Sequence, residues 1–205
     1  MVDDHTRSAN EPARRLCVFC GSKLGDRGEY AEAARALAVC AVRRGWELVY
    51  GGGSVGLMGI VADAALAAGG RIYGVLPQRL ATDELAHQQL TELFIVRSMH
   101  ERKAKMMALA TAFAALPGGF GTLEELFEVI SWAQLGIHHC PIGLLNTAGY
   151  YERLVQFVDH AVAEGFIKPV HRELIIVRDH PEELVETLER ALPPLLPQRL
   201  SAEET

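Results

Sequence analysis

The residues best suited to chemistry lie where an apolar run gives way to a helical pattern. One such place is residues 117–122, with the sequence Pro-Gly-Gly-Phe-Gly-Thr. Glycines let backbone amides approach an anion closely, and a following helix adds unpaired N–H groups and the positive end of its dipole. No lysine follows the last glycine, unlike in a Walker loop, so the pattern predicts a phosphate site that needs no metal.

A second glycine segment covers residues 51–59. It contains the pattern G-x-G-x-x-G in Gly51, Gly53 and Gly56, directly after a predicted strand. A dinucleotide site would also need an acidic residue near the end of the next strand, where this chain has Pro77 and Gln78. An NAD site is therefore disfavoured. Two interpretations stay open: a phosphate-binding turn, or glycines that only permit close strand–helix packing.

A third segment places cations at the start of a helix. Ser98 and Glu101 have the spacing of a capping box, so a helix should begin at about Met99. Arg102 and Lys103 then lie near its N-terminal end, where each opposes the helix dipole by a few tenths to about 1 kcal/mol. A solvated surface would tolerate such cations, but two of them beside two glycine loops also form a coherent anion site.

Glu125 has two competing interpretations. Thr122 and Glu125 also have capping-box spacing, in which the glutamate side chain bonds back to the N–H of the cap residue. The local sequence favours this structural role over a catalytic one. Glu124 and Glu125 would both gain from lying in the first turn of a helix, because the helix dipole stabilises negative charge there.

A sheet must position these segments. Short apolar runs alternate with amphipathic helical patterns, which is typical of a parallel sheet covered on both faces. The predicted fold class is α/β: a single doubly wound Rossmann-like domain with a mostly parallel sheet and helices on both faces. Its ligand crevice should lie at the carboxyl ends of the strands. Strands are predicted at residues 16–20, 46–50, 71–76, 93–96, 113–116, 142–145 and 174–177, and helices at 29–44, 54–68, 99–110, 123–135, 150–164 and 181–192.

Composition narrows the function classes. The net charge of −6 over 205 residues argues against a nucleic-acid partner bound through a broad basic surface. No apolar stretch is long enough to span a membrane, and the polar N-terminus has no signal-peptide core, so we expect a cytoplasmic protein. We expect a flexible polar tail over residues 1–15, the nucleotide-binding domain over 16–192 and a Pro-rich tail over 193–205.

The four cysteines indicate neither a disulfide framework nor a metal site. Cys17 and Cys20 have redox-motif spacing, but they lie in a predicted strand rather than at the start of a helix. A zinc site would need a second pair of ligands at suitable spacing, and none is present. We therefore expect buried structural cysteines and no metal.

In combination, these motifs resemble the LOG ("lonely guy") family of cytokinin riboside 5'-monophosphate phosphoribohydrolases, often mislabelled as lysine decarboxylases. The resemblance rests on M-H-x-R-K at residues 99–103 together with P-G-G-x-G-T-x-x-E at 117–125. It extends from about Leu16 to Val177 and includes Cys20-Gly21-Ser22, residues 51–59 and residues 131–138. Lys23 departs from the family pattern, because a small hydroxyl residue is more usual there.

The resemblance implies a homodimer that hydrolyses the N-glycosidic bond of a purine nucleoside 5'-monophosphate to free base and ribose 5-phosphate, with no cofactor. Arg102 and Glu125 would be the catalytic residues. Ser131 replaces the commoner threonine and keeps its hydroxyl. The resemblance and the glycine loops together give these substrate contacts: Ser22, Gly53, Glu84, Met99, Lys103, Gly118, Gly119, Phe120, Gly121, Thr122, Leu123, Glu124 and Ser131.

Two other functions compete with hydrolysis. A decarboxylase would need pyridoxal phosphate on a Schiff-base lysine, and no lysine is evidently placed for it. A non-catalytic carrier of a nucleotide or of molybdenum cofactor, with a Rossmann-like fold, would share the glycine loops. The pairing of Glu125 with Arg102 in the full motif favours the enzyme.

Overall fold

A seven-stranded sheet forms the centre of the computed structural model, which describes residues 13–81 and 86–192. Every pair of neighbouring strands is parallel, which confirms the predicted α/β class. Each strand lies within one residue of its predicted bounds. The strands are β1 (Arg15–Phe19), β2 (Glu47–Tyr50), β3 (Ile72–Pro77), β4 (Glu92–Val96), β5 (Ala112–Ala115), β6 (Ile142–Leu145) and β7 (Ile175–Arg178), in the order β4-β3-β2-β1-β5-β6-β7.

Seven helices accompany the strands within the described residues, six in the connections between strands and the last after β7. They are α1 (Gly28–Arg43), α2 (Gly56–Ala67), α3 (Met99–Leu109), α4 (Phe120–Gln134), α5 (Glu152–Ala163), α6 (Pro169–Arg172) and α7 (Pro181–Ala191). The single-turn helix α6 and two 3-10 turns, Gln78–Leu80 and Thr147–Gly149, were not predicted, because segments this short carry no 3.6-residue periodicity. Of the predicted polar tail over residues 1–15, residues 1–12 lie outside the described residues, whereas Arg15 already belongs to β1. The predicted tail over residues 193–205 also lies outside the described residues.

The sheet is covered on both faces. Along β1, Leu16 and Val18 pack into the core formed with α1, α2 and α7, whereas Cys17 and Phe19 pack into the core on the side of α3, α4 and α5. This alternation follows from the two-residue period of a strand, and burial on both sides explains why the strands read as continuous apolar runs. Cys17 and Cys20 are buried free thiols, as expected, and burial raises the pKa of each.

Three loops meet where the strand order reverses, between β1 and β5. The N–H of Gly21 donates to the carbonyl of Pro117 at 3.0 Å, and the N–H of Leu57 donates to the carbonyl of Gly21 at 3.0 Å. The loops after β1, β2 and β5 are therefore joined at the carboxyl edge of the sheet, where a doubly wound fold forms its ligand crevice. Among the described helices, none has the length and apolarity needed to cross a bilayer.

The junction of α2 with the loop after β1 provides a stability test. Gly56 has φ +63°, and a Cβ there would lie 2.5 Å from the backbone nitrogen of Lys23. Gly69, at the other end of α2, has φ +78° but open space around the same position. Alanine at either site incurs left-handed strain of about 1–2 kcal/mol, and Gly56→Ala adds overpacking of about 1–3 kcal/mol.

We therefore expect both variants to lower Tm, with Gly56→Ala lowering it about twice as far as Gly69→Ala. At this chain length each kcal/mol corresponds to about 2–4 °C. Thermal unfolding followed by circular dichroism measures both values. Equal losses of Tm in the two variants would show that the contact between α2 and the Ser22–Lys23 backbone has no energetic weight.

Candidate functional site

A cleft of about 340 Å³ opens at the reversal of strand order. Its walls come from the loop after β1, with Ser22 and Lys23, and from the loop after β5, with Gly118 and Gly119. Tyr150, which follows β6, completes the side toward α5. The cleft therefore has the position that a doubly wound sheet assigns to a ligand, and a lysine lies on its wall.

The loop after β5 ends in an open helix terminus. Helix α4 begins at Phe120. Its N-cap residue is Gly119, which has no side chain to accept a capping hydrogen bond. The backbone N–H groups of residues 119–122 donate to no backbone acceptor within the described residues. Unpaired donors and the positive end of a helix dipole are the features that favour an anion, and both lie at the edge of the cleft.

The predicted capping box of Thr122 and Glu125 is wrong. Thr122 is the third residue of α4 and therefore has no cap position to occupy. Its side chain is buried against the preceding loop: a Cβ at Gly118 would lie 2.6 Å from the Cβ of Thr122 and 2.9 Å from the nitrogen of Gly21. This tertiary contact, rather than a local cap, decides where the helix begins.

Glu125 is instead buried against a cation. Its Oε1 lies 3.3 Å from Nη2 of Arg102, and only about a tenth of either side chain is exposed. Burial raises the pKa of Glu125, and the charge of Arg102 acts in the opposite direction. The structure thus joins the two residues that the sequence placed on separate helices.

The start of α3 sets the position of Arg102. As predicted, α3 begins at Met99, and the N–H of Glu101 donates to Oγ of Ser98 at 3.1 Å. The carboxylate of Glu101 accepts from the N–H of Arg97 at 2.7 Å, one residue before the usual partner in a capping box. Arg102 is therefore held in the first turn despite the unfavourable helix dipole.

Gly51 makes room for the guanidinium group. A Cβ at Gly51 would lie 3.2 Å from Cζ of Arg102 and would overlap its Nη2. The Nε of Arg102 is buried and has no hydrogen-bond partner within the described residues. Close packing therefore accounts for Gly51, one of the two interpretations the sequence left open.

Lys103 and Glu124, both predicted substrate contacts, bind each other. The Nζ of Lys103 forms ion pairs with the carboxylates of Glu124 and, at 2.9 Å, Glu128. The hydrogen bond that Lys103 donates to Glu124 is the main cause that raises the pKa of Lys103. Lys103 is thus a charged side chain that links α3 to α4 next to the Arg102–Glu125 pair.

The remaining predicted contacts are spread around this centre. Met99 is near Arg102, with its sulfur 3.9 Å from Nη1, and Gly53 forms an isolated β-bridge with Ala86. Phe120 is 92% exposed, whereas Leu123 packs against the core and faces away from the cleft. Glu84 lies outside the described residues.

Ser131 is not brought to the pair. It lies six residues beyond Glu125 on α4, about 240° around the helix, and its hydroxyl donates to the carbonyl of Phe127 at 2.7 Å. Tyr150 was missed by sequence reasoning, yet its hydroxyl donates to the carbonyl of Gly118 at 2.5 Å. The available signal was its position just after β6, whose carboxyl end meets the same edge of the sheet.

Comparison with known proteins identifies the family. A family model described as "Possible lysine decarboxylase" matches residues 58–188. A cytokinin riboside 5'-monophosphate phosphoribohydrolase of Arabidopsis thaliana is 51% identical over 180 residues, which cover 88% of this chain and 79% of the relative. A rice relative (Oryza sativa subsp. japonica), named "Probable cytokinin riboside 5'-monophosphate phosphoribohydrolase", is 52% identical over 88% of this chain and 85% of its own. The chain belongs to the LOG family.

Solved structures similar to this LOG family member support the fold alone. The molybdenum cofactor carrier protein of Chlamydomonas reinhardtii matches with a TM-score of 0.67 and 20% identity, over 88% of this chain and 98% of the carrier. A molybdenum cofactor binding protein of Rippkaea orientalis matches with a TM-score of 0.65 and 19% identity, over 87% and 97%. These similarities confirm the Rossmann-like architecture.

The fit of Arg102 against Gly51 predicts a change in the titration of Glu125. Gly51→Ala displaces the guanidinium group and removes the charge that favours the carboxylate, so the pKa of Glu125 should rise further. The measurement is an NMR titration of the Glu125 carboxyl carbon, assigned by its loss in Glu125→Gln. Gly28→Ala, which has open space at the same atom, is the control and should leave the titration unchanged. An unshifted midpoint in Gly51→Ala would rule out this role for Gly51.

Proposed function

We propose that the protein hydrolyses the N-glycosidic bond of a purine nucleoside 5'-monophosphate, releasing free base and ribose 5-phosphate. The observation that carries the proposal is the buried Arg102–Glu125 pair beside an open helix terminus. Support comes from the relatives that share half of the sequence, which are named as phosphoribohydrolases of cytokinin riboside 5'-monophosphates. The base of the substrate is either adenine or an adenine that carries a substituent on its N6 amino group.

The cleft edge supplies the phosphate anchor. Unpaired N–H groups of residues 119–122 and the dipole of the 15-residue helix α4 favour a dianion at this point. Lys23, on the wall of the same cleft, adds a cation where the family more commonly has a small hydroxyl residue. Binding energy from the phosphate then aligns the distant glycosidic bond, so the phosphate contributes to catalysis without reacting.

Glu125 and Arg102 carry out the chemistry in this proposal. Cleavage passes through a cationic, oxocarbenium-like ribose, which a buried carboxylate stabilises strongly because little solvent screens it. The electron pair of the broken C–N bond leaves with the base, which takes up a proton, while water forms the new bond to the anomeric carbon. Glu125 orients the ribose hydroxyls and this water. The guanidinium group of Arg102 binds the phosphate or the departing base.

A pyridoxal-dependent decarboxylase fits the described residues poorly. A Schiff-base lysine needs an amine that readily loses its proton, whereas carboxylates of Glu124 and Glu128 raise the pKa of Lys103. Lys105 lies over the ring of Phe94 at 4.2 Å, and Lys168 is exposed at the start of α6. The description of the family model therefore has no support from Lys103, Lys105 or Lys168.

The decisive experiment is incubation with AMP and quantification of adenine and ribose 5-phosphate. Glu125→Gln keeps the shape of the side chain but removes its charge, so kcat should fall by at least about 10²-fold, while calorimetry shows AMP binding retained. Glu152→Gln, the same change on the surface helix α5, is the control and should keep wild-type turnover. Wild-type turnover by Glu125→Gln would disprove the mechanism; AMP binding without any adenine release by the wild type would favour the carrier.

The homodimer belongs to the same proposal. Phe127, Ser131 and Leu135 follow one another at four-residue spacing on α4 and are exposed, with Leu135 71% exposed. An apolar stripe of this kind is the type of surface that a second copy covers, and it places Ser131 beside the partner. The cytoplasmic location, the absence of a nucleic-acid partner and the domain bounds stay predictions from the sequence.

The stripe predicts how the dimer can be broken. Leu135→Asp places a charge at the most exposed apolar residue of the proposed contact, so light scattering should give twice the chain mass for the wild type and the single chain mass for the variant. Circular dichroism checks that the variant keeps its fold. A monomeric wild type, or a variant that stays dimeric, would remove this face of α4 from the interface.

A further inference from the structure

The turn between β6 and α5 is built to place a tyrosine beside the glycine loop. Oδ1 of Asn146 accepts from the N–H of Tyr151 at 2.7 Å, and its amide donates to Asp179 at 2.9 Å. Ala148 has φ +52°, a left-handed backbone conformation that residues other than glycine rarely adopt. Strain of this kind persists where the surrounding structure holds it, and here both ends of the turn are tied down.

Two successive tyrosines from this turn bind two carbonyls of the loop after β5. Tyr150 donates to the carbonyl of Gly118 at 2.5 Å, and Tyr151 donates to the carbonyl of Leu116 at 2.6 Å. The two differ in access: Tyr151 is 1% exposed, whereas Tyr150 is 40% exposed and lines the cleft. The hydroxyl of Tyr151 therefore makes its hydrogen bond inside the core, whereas the hydroxyl of Tyr150 makes the equivalent bond at the cleft.

The ring of Tyr150 is fixed on two sides. Tyr30 meets it edge to face, with centroids 5.6 Å apart and an interplanar angle of 78°. Tyr151 meets it in the same manner, at 5.0 Å and 86°. Such contacts favour one ring orientation, so the hydroxyl is held in place before any ligand enters.

We propose that Tyr150 is a positioning residue for phosphate binding, acting through the peptide between Gly118 and Gly119. A trans peptide is planar, so fixing the carbonyl of Gly118 at one edge also fixes the N–H of Gly119 at the opposite edge. That N–H donates to no acceptor within the described residues. Because both flanking residues are glycines, the peptide plane would rotate readily without the tyrosine.

This proposal rests on the proposed function and specifies how its phosphate site is preorganised. The hydroxyl of Tyr150 holds the N–H of Gly119 toward the 5'-phosphate and takes no part in breaking the glycosidic bond. Its contribution should therefore appear in the preference for a nucleoside 5'-monophosphate over the free nucleoside, and not in the turnover of bound substrate.

Tyr150→Phe tests this directly, because it keeps the ring contacts and removes only the donor. We expect Kd and KM for AMP to rise about 3- to 10-fold, the loss expected for one hydrogen bond, with kcat within about twofold of the wild type. kcat/KM for adenosine should not change, since adenosine has no phosphate. An unchanged KM for AMP, or an equal loss with adenosine, would overturn the proposal.

Tyr151→Phe is the matched control. It also removes a hydroxyl group that donates to the loop after β5, but the acceptor is the carbonyl of Leu116, which precedes Pro117 and lies away from the cleft. It should lower Tm, because a buried carbonyl loses its donor, while the preference for AMP over adenosine stays at the wild-type value. An equal fall of the preference in both variants would show that the loop responds to general destabilisation and would overturn a specific role for Tyr150.

The amide resonance of Gly119 gives a readout that does not depend on catalysis. On titration of the wild type with inorganic phosphate, this resonance should shift, and in Tyr150→Phe the shift should saturate at a phosphate concentration several-fold higher. No response of Gly119 in the wild type would overturn the proposal without any variant. If the wild type releases no adenine from AMP, the proposed hydrolysis fails, and the Gly119 response still decides the role of Tyr150.

Discussion

The buried ion pair between Arg102 and Glu125 is the constraint on which the rest of the site depends. Taking a carboxylate and a guanidinium out of water costs several kcal/mol for each ion, and their attraction offsets this cost only in good geometry. Here the separation is 3.3 Å rather than a close bidentate contact, and Nε of Arg102 has no partner within the described residues. The pair therefore contributes little to the free energy of unfolding. A ligand that supplied further polar contacts to these two side chains would offset part of their desolvation cost.

Several features of the fold keep this pair in place. Ser98 and Glu101 fix the first turn of α3, although Arg102 opposes the dipole there. The absence of a Cβ at Gly51 admits the guanidinium group. Lys103 forms ion pairs with Glu124 and Glu128 and so joins α3 to α4 beside the buried pair. Gly51 and the ion pairs of Lys103 therefore serve one requirement, which is to fix the relative position of the two buried charges.

The sequence predicted the sheet well and the start of α4 poorly, for a physical reason. Strands buried on both faces show as uninterrupted apolar runs, so their bounds can be read locally. Thr122 packs against Gly118, and Gly118 in turn lies against Gly21 of the loop after β1. This second contact joins residues about a hundred positions apart, so it leaves no local signal in the sequence. The correct spacing for a capping box was therefore misleading. Tyr150 was missed for the same reason, because its role exists only where the carboxyl ends of β5 and β6 meet.

The similarity to molybdenum cofactor carriers shows how little the sheet edge decides by itself. Loops that meet at the reversal of strand order come with the fold, and a fold shared at 20% identity does not determine function. What a hydrolase needs in addition is negative charge held out of water near the bond to be broken, and in the proposed mechanism Glu125 supplies it. A carrier needs only the phosphate site. A buried carboxylate beside that site would lower its stability and weaken anion binding without contributing to carriage. The presence of Glu125 at this position, already offset by Arg102, is the physical reason to favour hydrolysis over carriage.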